Sequence, residues 1–122
     1  MRVLQTVVAF DAPDLEAEST FWAALLGGTA EVEDENWHIV SVDGEAKVCF
    51  QLAPDHVRPQ WPDGPQRQQA HLDVYVDDLA EADAFVLARG ASLLKASDDP
   101  TASEGFQVYA DPAGHPFCLC WG

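Results

Sequence analysis

The feature that most constrains the fold is an internal repeat with an offset of about 64 residues. Asp14-Leu15 is followed by Gly27-Gly28, and Asp78-Leu79 is followed by Gly90. In each half an apolar run precedes the aspartate, a helical pattern joins it to the glycine, and three short strand patterns come after. This periodicity predicts a β-α-β-β-β unit that is present twice.

The predicted elements follow from capping signals and turn residues. An acidic first turn and a terminal glycine bound each helix, and Asp43-Gly44 is typical of a tight hairpin turn. The first half has predicted strands at 3–10, 30–33, 37–42 and 47–52 and a helix from Pro13 to Gly27; the second has strands at 70–76, 92–96, 106–110 and 116–121 and a helix from Asp78 to Arg89. We therefore predict a single α+β domain over 1–122, with modules 1–53 and 70–122 forming a cupped mixed sheet whose convex face carries the helices. Residues 54–69 contain Pro54, Pro59, Pro62 and Pro65 and are predicted to be a stiff linker.

Charge and cysteine content limit the partners. The 122 residues include 21 acidic and 6 basic side chains, which gives a net charge of −15. Such a surface repels phosphate backbones and anionic membranes, and it attracts cations. No apolar run approaches the roughly 20 residues that cross a bilayer. Three cysteines without framework spacing favour a reducing, cytoplasmic location.

Strand alternation predicts which side chains face a shared pocket. Because neighbouring side chains on a strand point to opposite faces, heavy apolar residues of four strands share one face. The opposite faces carry chemically capable groups: Gln5 on the first strand, Cys49 and Gln51 on the fourth, His71, Asp73 and Tyr75 on the fifth, and Cys118 and Cys120 on the last. We expect the apolar faces to pack under the helices and the other faces to line a concave ligand pocket.

The four tryptophans divide into core and candidate ligand contacts. Helical spacing places Trp22 in the core, and strand parity places Trp121 there too. Trp37 and Trp61 are predicted to contact a ligand, since aromatic walls suit planar or cationic molecules. For Trp61 the alternatives are a plug that packs the linker down, or a contact in a dimer.

Three segments resemble one superfamily: the opening residues 1–15, HLDVYVDDL at 71–79 and DPAGHPFCL at 111–119. With the paired modules, they are similar to the vicinal-oxygen-chelate superfamily, which includes glyoxalase I, the bleomycin-resistance proteins and the extradiol dioxygenases. The ending looks most like the small glyoxalase-like proteins. The resemblance implies metal-ligand positions at Gln5, Gln51, His71 and Cys118, without the glutamates that glyoxalase I uses there. Two neutral amides compensate poorly for the dehydration of a divalent ion, so we expect no tightly held cofactor.

Three functions stay open on the sequence. The first is a domain, dimeric as the resemblance implies, that binds a small organic ligand, cationic or aromatic, without a metal, as the bleomycin-resistance proteins do. The second is a metal-dependent lyase, isomerase or dioxygenase with the atypical set of Gln5, Gln51, His71 and Cys118. The third is a metal-free enzyme in which His71 and Asp73 are the catalytic acid–base pair.

Overall fold

The computed structural model describes residues 1–61 and 63–122, and these form two compact units, Met1–His56 and Val57–Gly122. Pro62, one of the four prolines of the predicted linker, lies outside the described residues. No helix in the described parts of the chain is long and apolar enough to cross a membrane.

The first unit is a four-stranded mixed sheet with one helix. Its elements are β1 (Val8–Ala12), α1 (Leu15–Leu26), β2 (Thr29–Asp34), β3 (Trp37–Val42) and β4 (Glu45–Leu52). The strand order is β1-β4-β3-β2, in which β1 runs parallel to β4 and the other neighbours are antiparallel. The parallel pair requires a crossover, and the chain makes it through α1 and the β2–β3 hairpin.

The second unit repeats this topology. Its elements are β5 (Leu72–Tyr75), α2 (Leu79–Leu87), β6 (Ser92–Lys95), β7 (Gly105–Ala110) and β8 (Pro116–Trp121). The strand order β5-β8-β7-β6 is the same permutation, again with one parallel pair, β5 and β8. The predicted α+β fold with two β-α-β-β-β modules is therefore confirmed.

Equivalent caps start the two helices. Asp14 accepts a hydrogen bond from the backbone N–H of Ala17 at 3.0 Å, and Asp78 accepts one from Glu81 at 2.9 Å. Each carboxylate satisfies a donor of the first turn that has no partner inside the helix. The two aspartates that mark the repeat in the sequence are therefore the N-caps of the two helices.

Aromatic residues dominate both cores. In the first unit Trp22 is fully buried, and Phe10 lies 5.9 Å from its ring and 6.3 Å from that of Phe50. In the second unit Tyr109 stacks on Phe117 at 5.5 Å, and its hydroxyl donates to Asp83 of α2 at 2.6 Å. Trp22 is a core residue, as predicted.

The predicted position of the first strand was wrong. We expected a strand at 3–10, but β1 is Val8–Ala12 and residues 1–7 lie outside any strand. The apolar run has strand propensity, but the parallel ladder on β4 begins only where Val8 lies opposite Val48. Gln5 consequently precedes the sheet, and Asp11 is in it. The remaining boundaries differ by three residues or fewer from those predicted.

Two adjacent glycines end α1 for different reasons, which gives a matched test. Gly27 has a left-handed φ of 68° with open space around it, whereas a Cβ on Gly28 would overlap the carbonyl oxygen of Ser41 in β3. We expect Gly27→Ala to lower the free energy of unfolding by about 1 kcal/mol. Gly28→Ala should cost about 2–3 kcal/mol, because the backbone of β3 must shift. Denaturant unfolding of both variants measures the difference, and equal losses would contradict the close approach of α1 to β3.

Candidate functional site

Strand register places the predicted polar residues of the second unit on one face. Asp73 lies opposite Cys118, and Tyr75 lies opposite Cys120, across the parallel pair β5 and β8. Directly paired residues of neighbouring strands share a face of the sheet. The alternate residues, such as Phe117, lie on the face where Tyr109 bonds to α2. The predicted parity of these two strands is correct.

His71, Asp73 and Cys118 form a compact cluster on that face. The imidazole Nε2 of His71 lies 3.3 Å from a carboxylate oxygen of Asp73, and the donor atoms of all three residues lie within 4.8 Å of one another. The side chains of His71 and Asp73 are each nearly half exposed, whereas Cys118 is buried. The cluster therefore has a buried sulfur and an accessible acid–base pair.

Burial keeps the sulfur protonated. Desolvation, with smaller contributions from the charge of Asp73 and a hydrogen bond to it, raises the pKa of Cys118 to about 12. The pKa of Cys120 is also raised, first by burial and then by Asp73. Both are thiols at neutral pH, so neither is an activated nucleophile in the absence of a cation.

An open pocket of about 490 Å³ lies over the cluster. Its lining contains two carboxylates, Asp73 and Glu104, and neither lysine nor arginine. Aromatic side chains supply much of the rest, among them Tyr75 and Phe106, whose relative exposures are 72% and 52%. A negatively charged, aromatic pocket is suited to a positively charged ligand with a flat apolar body.

The structure corrects one tryptophan assignment and locates another. Trp121 was expected in the core, but it is partly exposed, lines the pocket and donates from its indole N–H to the carbonyl of Ala102 at 2.9 Å. It is the last residue of β8 and pairs with Gly105, so the alternation that holds for Phe117 to Cys120 does not predict its surroundings. Trp61 packs on Val108, Cys118 and Cys120, which agrees with one of the alternatives given for it, a plug that packs the linker down.

The predicted site residues of the first unit lie apart from this cluster in the sequence and belong to the other sheet. Trp37 and Gln51 are paired residues of β3 and β4, and Asp11 lies opposite Gln51 on β1. Gln5 is exposed and precedes β1. The proposed convergence of Gln5 and Gln51 with His71 and Cys118 stays a prediction.

The repeat itself identifies the counterparts of the cluster in the first unit. Counting back seven residues from each helix cap, Asp14 and Asp78, makes Val7 the equivalent of His71. The pairs Ala9 with Cys49 and Asp73 with Cys118 then make those positions equivalent. The first unit thus carries valine, alanine and cysteine where the second carries histidine, aspartate and cysteine. The offset between the caps was the signal that could have shown this from the sequence.

The donor set of the cluster fits zinc better than magnesium or calcium. Imidazole nitrogen, carboxylate oxygen and thiolate sulfur are all zinc ligands, and three protein ligands leave a fourth position open. Magnesium and calcium prefer sets made of oxygen alone. His71 and Cys118 are two of the positions that the sequence resemblance implied, and Asp73 is an addition.

Comparison with known proteins agrees with the topology. A family model described as a glyoxalase-like domain matches residues 7–120. No curated protein sequence matches this chain.

Three solved structures illustrate the fold similarity. A glyoxalase-related enzyme from Fulvimarina pelagi has a TM-score of 0.69 at 20% identity, covering 98% of this chain and 89% of that one. A glyoxalase/bleomycin resistance protein/dioxygenase family enzyme from Burkholderia phytofirmans has a TM-score of 0.71 at 15% identity, covering 94% of this chain and 95% of that one. A fosfomycin resistance protein from Listeria monocytogenes has a TM-score of 0.73 at 12% identity, covering 100% of this chain and 95% of that one. At these identities the similarity concerns the fold alone.

Proposed function

The chain belongs to the glyoxalase-like domain family, and from that premise we propose that the pocket over the second sheet binds a small organic ligand that is cationic and aromatic. The observation that carries this proposal is the lining of the pocket, in which carboxylates and aromatic rings occur together with one histidine and with neither lysine nor arginine. Fold membership alone does not specify a ligand, because this fold supports many activities.

Electrostatics supports a cation in two ways. At long range the net charge of −15 raises the local concentration of cations and lowers that of anions. At short range Asp73 supplies a half-exposed carboxylate, next to His71, at the base of the pocket. The short-range part can be removed by one substitution, whereas the long-range part is shared by the whole surface.

Aromatic side chains support a flat ligand. Tyr75 and Phe106 are large, exposed rings on the rim, and Trp61 lies on the thiols nearby. A cation near such faces gains from the ring quadrupole, by about 0.5–2 kcal/mol per contact depending on how far it is desolvated.

The proposal predicts selectivity by charge. Fluorescence titration should show binding of the cationic acridine proflavine and no measurable binding of the anionic dye anilinonaphthalene sulfonate. Asp73→Asn should weaken proflavine binding by about fivefold to tenfold, since it removes a nearby charge and keeps the shape. Isothermal calorimetry at the same pH gives an independent affinity.

The control is Asp98→Asn, which changes the net charge equally at an exposed residue outside the pocket lining. It should leave the affinity for proflavine within about twofold of the wild type, because an exposed charge that does not line the pocket is screened by water and salt. Equal effects of the two variants would reduce the proposal to nonspecific attraction by an acidic surface.

A second candidate function, metal-assisted lyase, isomerase or dioxygenase chemistry, is supported by the cluster of His71, Asp73 and Cys118. These three side chains would hold the ion. A bound divalent metal would supply a Lewis acid for a chelating substrate. Cys118 would bind it from the buried side, and the half-exposed His71 and Asp73 would bind it from the side that is open to a substrate.

Cobalt(II) tests this candidate without any assumption about substrate. Binding at the cluster should produce a thiolate-to-metal charge-transfer absorption in the near ultraviolet, absent in Cys118→Ser and weakened in His71→Ala. Because the pKa of Cys118 is raised to about 12, binding must release its proton. The apparent affinity should therefore rise about tenfold per pH unit between pH 7.5 and 8.5.

Cys49→Ser is the matched control, since Cys49 is the equivalent thiol of the first unit and lacks the neighbouring histidine and aspartate. It should retain the full absorption. A spectrum that persists in Cys118→Ser, or that disappears in Cys49→Ser, would exclude the cluster as the metal site.

We also propose a cytoplasmic homodimer. All three cysteines are free thiols, which suits a reducing compartment.

The apolar side chains of Val3 and Leu4 are 66% and 80% exposed, which favours cover by a second copy. Sedimentation velocity should give a mass near twice 13.3 kDa, and Leu4→Glu should shift it toward that of a monomer. A monomeric wild type would contradict the proposal.

A further inference from the structure

The second unit begins with residues 57–61, a segment that belongs to neither helix nor strand and that we call the strap. Near its start Arg58 donates from its guanidinium to the carbonyl of Pro112 at 2.6 Å. The stem of Arg58 lies directly over Gly114, where an added Cβ would come within 2.9 Å of the Cβ and Nε of Arg58. Gly114 has a φ of 91°, so glycine suits both the turn and the crossing side chain.

The turn that receives Arg58 is well fixed. Asp111 is fully buried, and its carboxylate accepts a hydrogen bond from the N–H of His115 at 2.8 Å. The backbone N–H of Asp111 donates to the carbonyl of His115, and that of Gly114 donates to the carbonyl of Asp111, both at 2.9 Å. Arg58 therefore bonds to a rigid acceptor next to the start of β8.

Three residues after Arg58 the strap places an aromatic ring on the thiols. Trp61 packs against Val108, Cys118 and Cys120, which lie on the face that carries the candidate site. Beside the strap lies a cavity of about 550 Å³ lined by Arg58, Trp61, Leu94 and Gly114. Among the described residues, the polar contact of Arg58 and the apolar contact of Trp61 join the strap to the sheet and its turn, whereas Gln60 bonds to Gln66 within the 54–69 region.

We propose that Arg58 is a positioning residue that holds Trp61 over Cys118 and Cys120, and that this contact controls access to that wall of the site. The shielding of the two thiols by Trp61 does not depend on what the site binds. Its consequence for ligand size, in which a looser Trp61 admits bulkier aromatic cations, rests on the proposed function.

The test measures access directly and needs no ligand. Alkylation of Cys118 and Cys120 by N-ethylmaleimide is followed by tandem mass spectrometry at one fixed pH, with Cys49 as the internal reference. Trp61→Ala should accelerate alkylation at both thiols by about tenfold or more. Arg58→Ala should accelerate it by about threefold to tenfold. This is the increase in the fraction of molecules with Trp61 away from the thiols that the loss of one hydrogen bond would cause.

Three further variants separate positioning from loss of charge or of stability. Arg67→Ala removes an exposed arginine that lies elsewhere in the 54–69 region and should leave the rate unchanged. Arg58→Lys keeps a donor and the charge and should restore part of the protection. The double variant of Arg58 and Trp61 should react no faster than Trp61→Ala, because Arg58 acts only through Trp61.

Each outcome decides the proposal. A wild-type rate in Arg58→Ala, together with a fast rate in Trp61→Ala, would show that Arg58 does not position the ring. A wild-type rate in Trp61→Ala would show that the ring does not cover the thiols. A double variant faster than either single one would indicate general destabilisation. None of these results depends on proflavine or cobalt binding, so the inference and the proposed function can fail separately.

Discussion

The parallel pairing of the outer strand of each module with its last strand is the constraint on which the candidate site depends. In the second unit this pairing sets Asp73 beside Cys118 and Tyr75 beside Cys120. A slip by one residue would turn the thiols toward the helix and bring Phe117 and Leu119 to the open face. The aromatic stack of Tyr109 on Phe117 and the bond from Tyr109 to α2 oppose such a slip, because they require those residues underneath. The core thereby determines the chemistry on the other side of the sheet.

The central carboxylate, Asp73, lies beside both the imidazole and the thiols of the second unit. Asp73 lies within ion-pair distance of His71, and it raises the pKa of the buried thiols. Without a cation the local balance favours a protonated sulfur and a negative pocket, which is the state suited to an organic cation. A divalent ion would change that balance by its own charge, since it stabilises the thiolate that Asp73 otherwise disfavours. The two candidate functions therefore differ in what supplies the positive charge at one small cluster.

Much of the architecture could be predicted from particular residues. The two capping aspartates and the glycines that follow them located both helices to within two residues, and alternation along 71–76 and 116–121 gave the correct faces. What failed depended on partners distant in sequence. The apolar run at 3–10 does not reveal where β4 stops offering hydrogen bonds, and parity cannot show that Trp121, at the end of β8, is partly exposed and lines the pocket. For Trp61 the sequence left a ligand contact and a plug both open, since neither its packing on the sheet nor the contact of Arg58 with Pro112, 54 positions away, can be read from local pattern.

The two halves of this repeat have come to differ in what they offer at matching places. Val7, Ala9 and Cys49 occupy the positions at which the later half has His71, Asp73 and Cys118. The first half has the same topology with apolar side chains at two of these three positions, while the second half has ionisable groups at all three. Replacing Val7 with histidine and Ala9 with aspartate would give the first half, together with Cys49, the same three residue types at the matching positions.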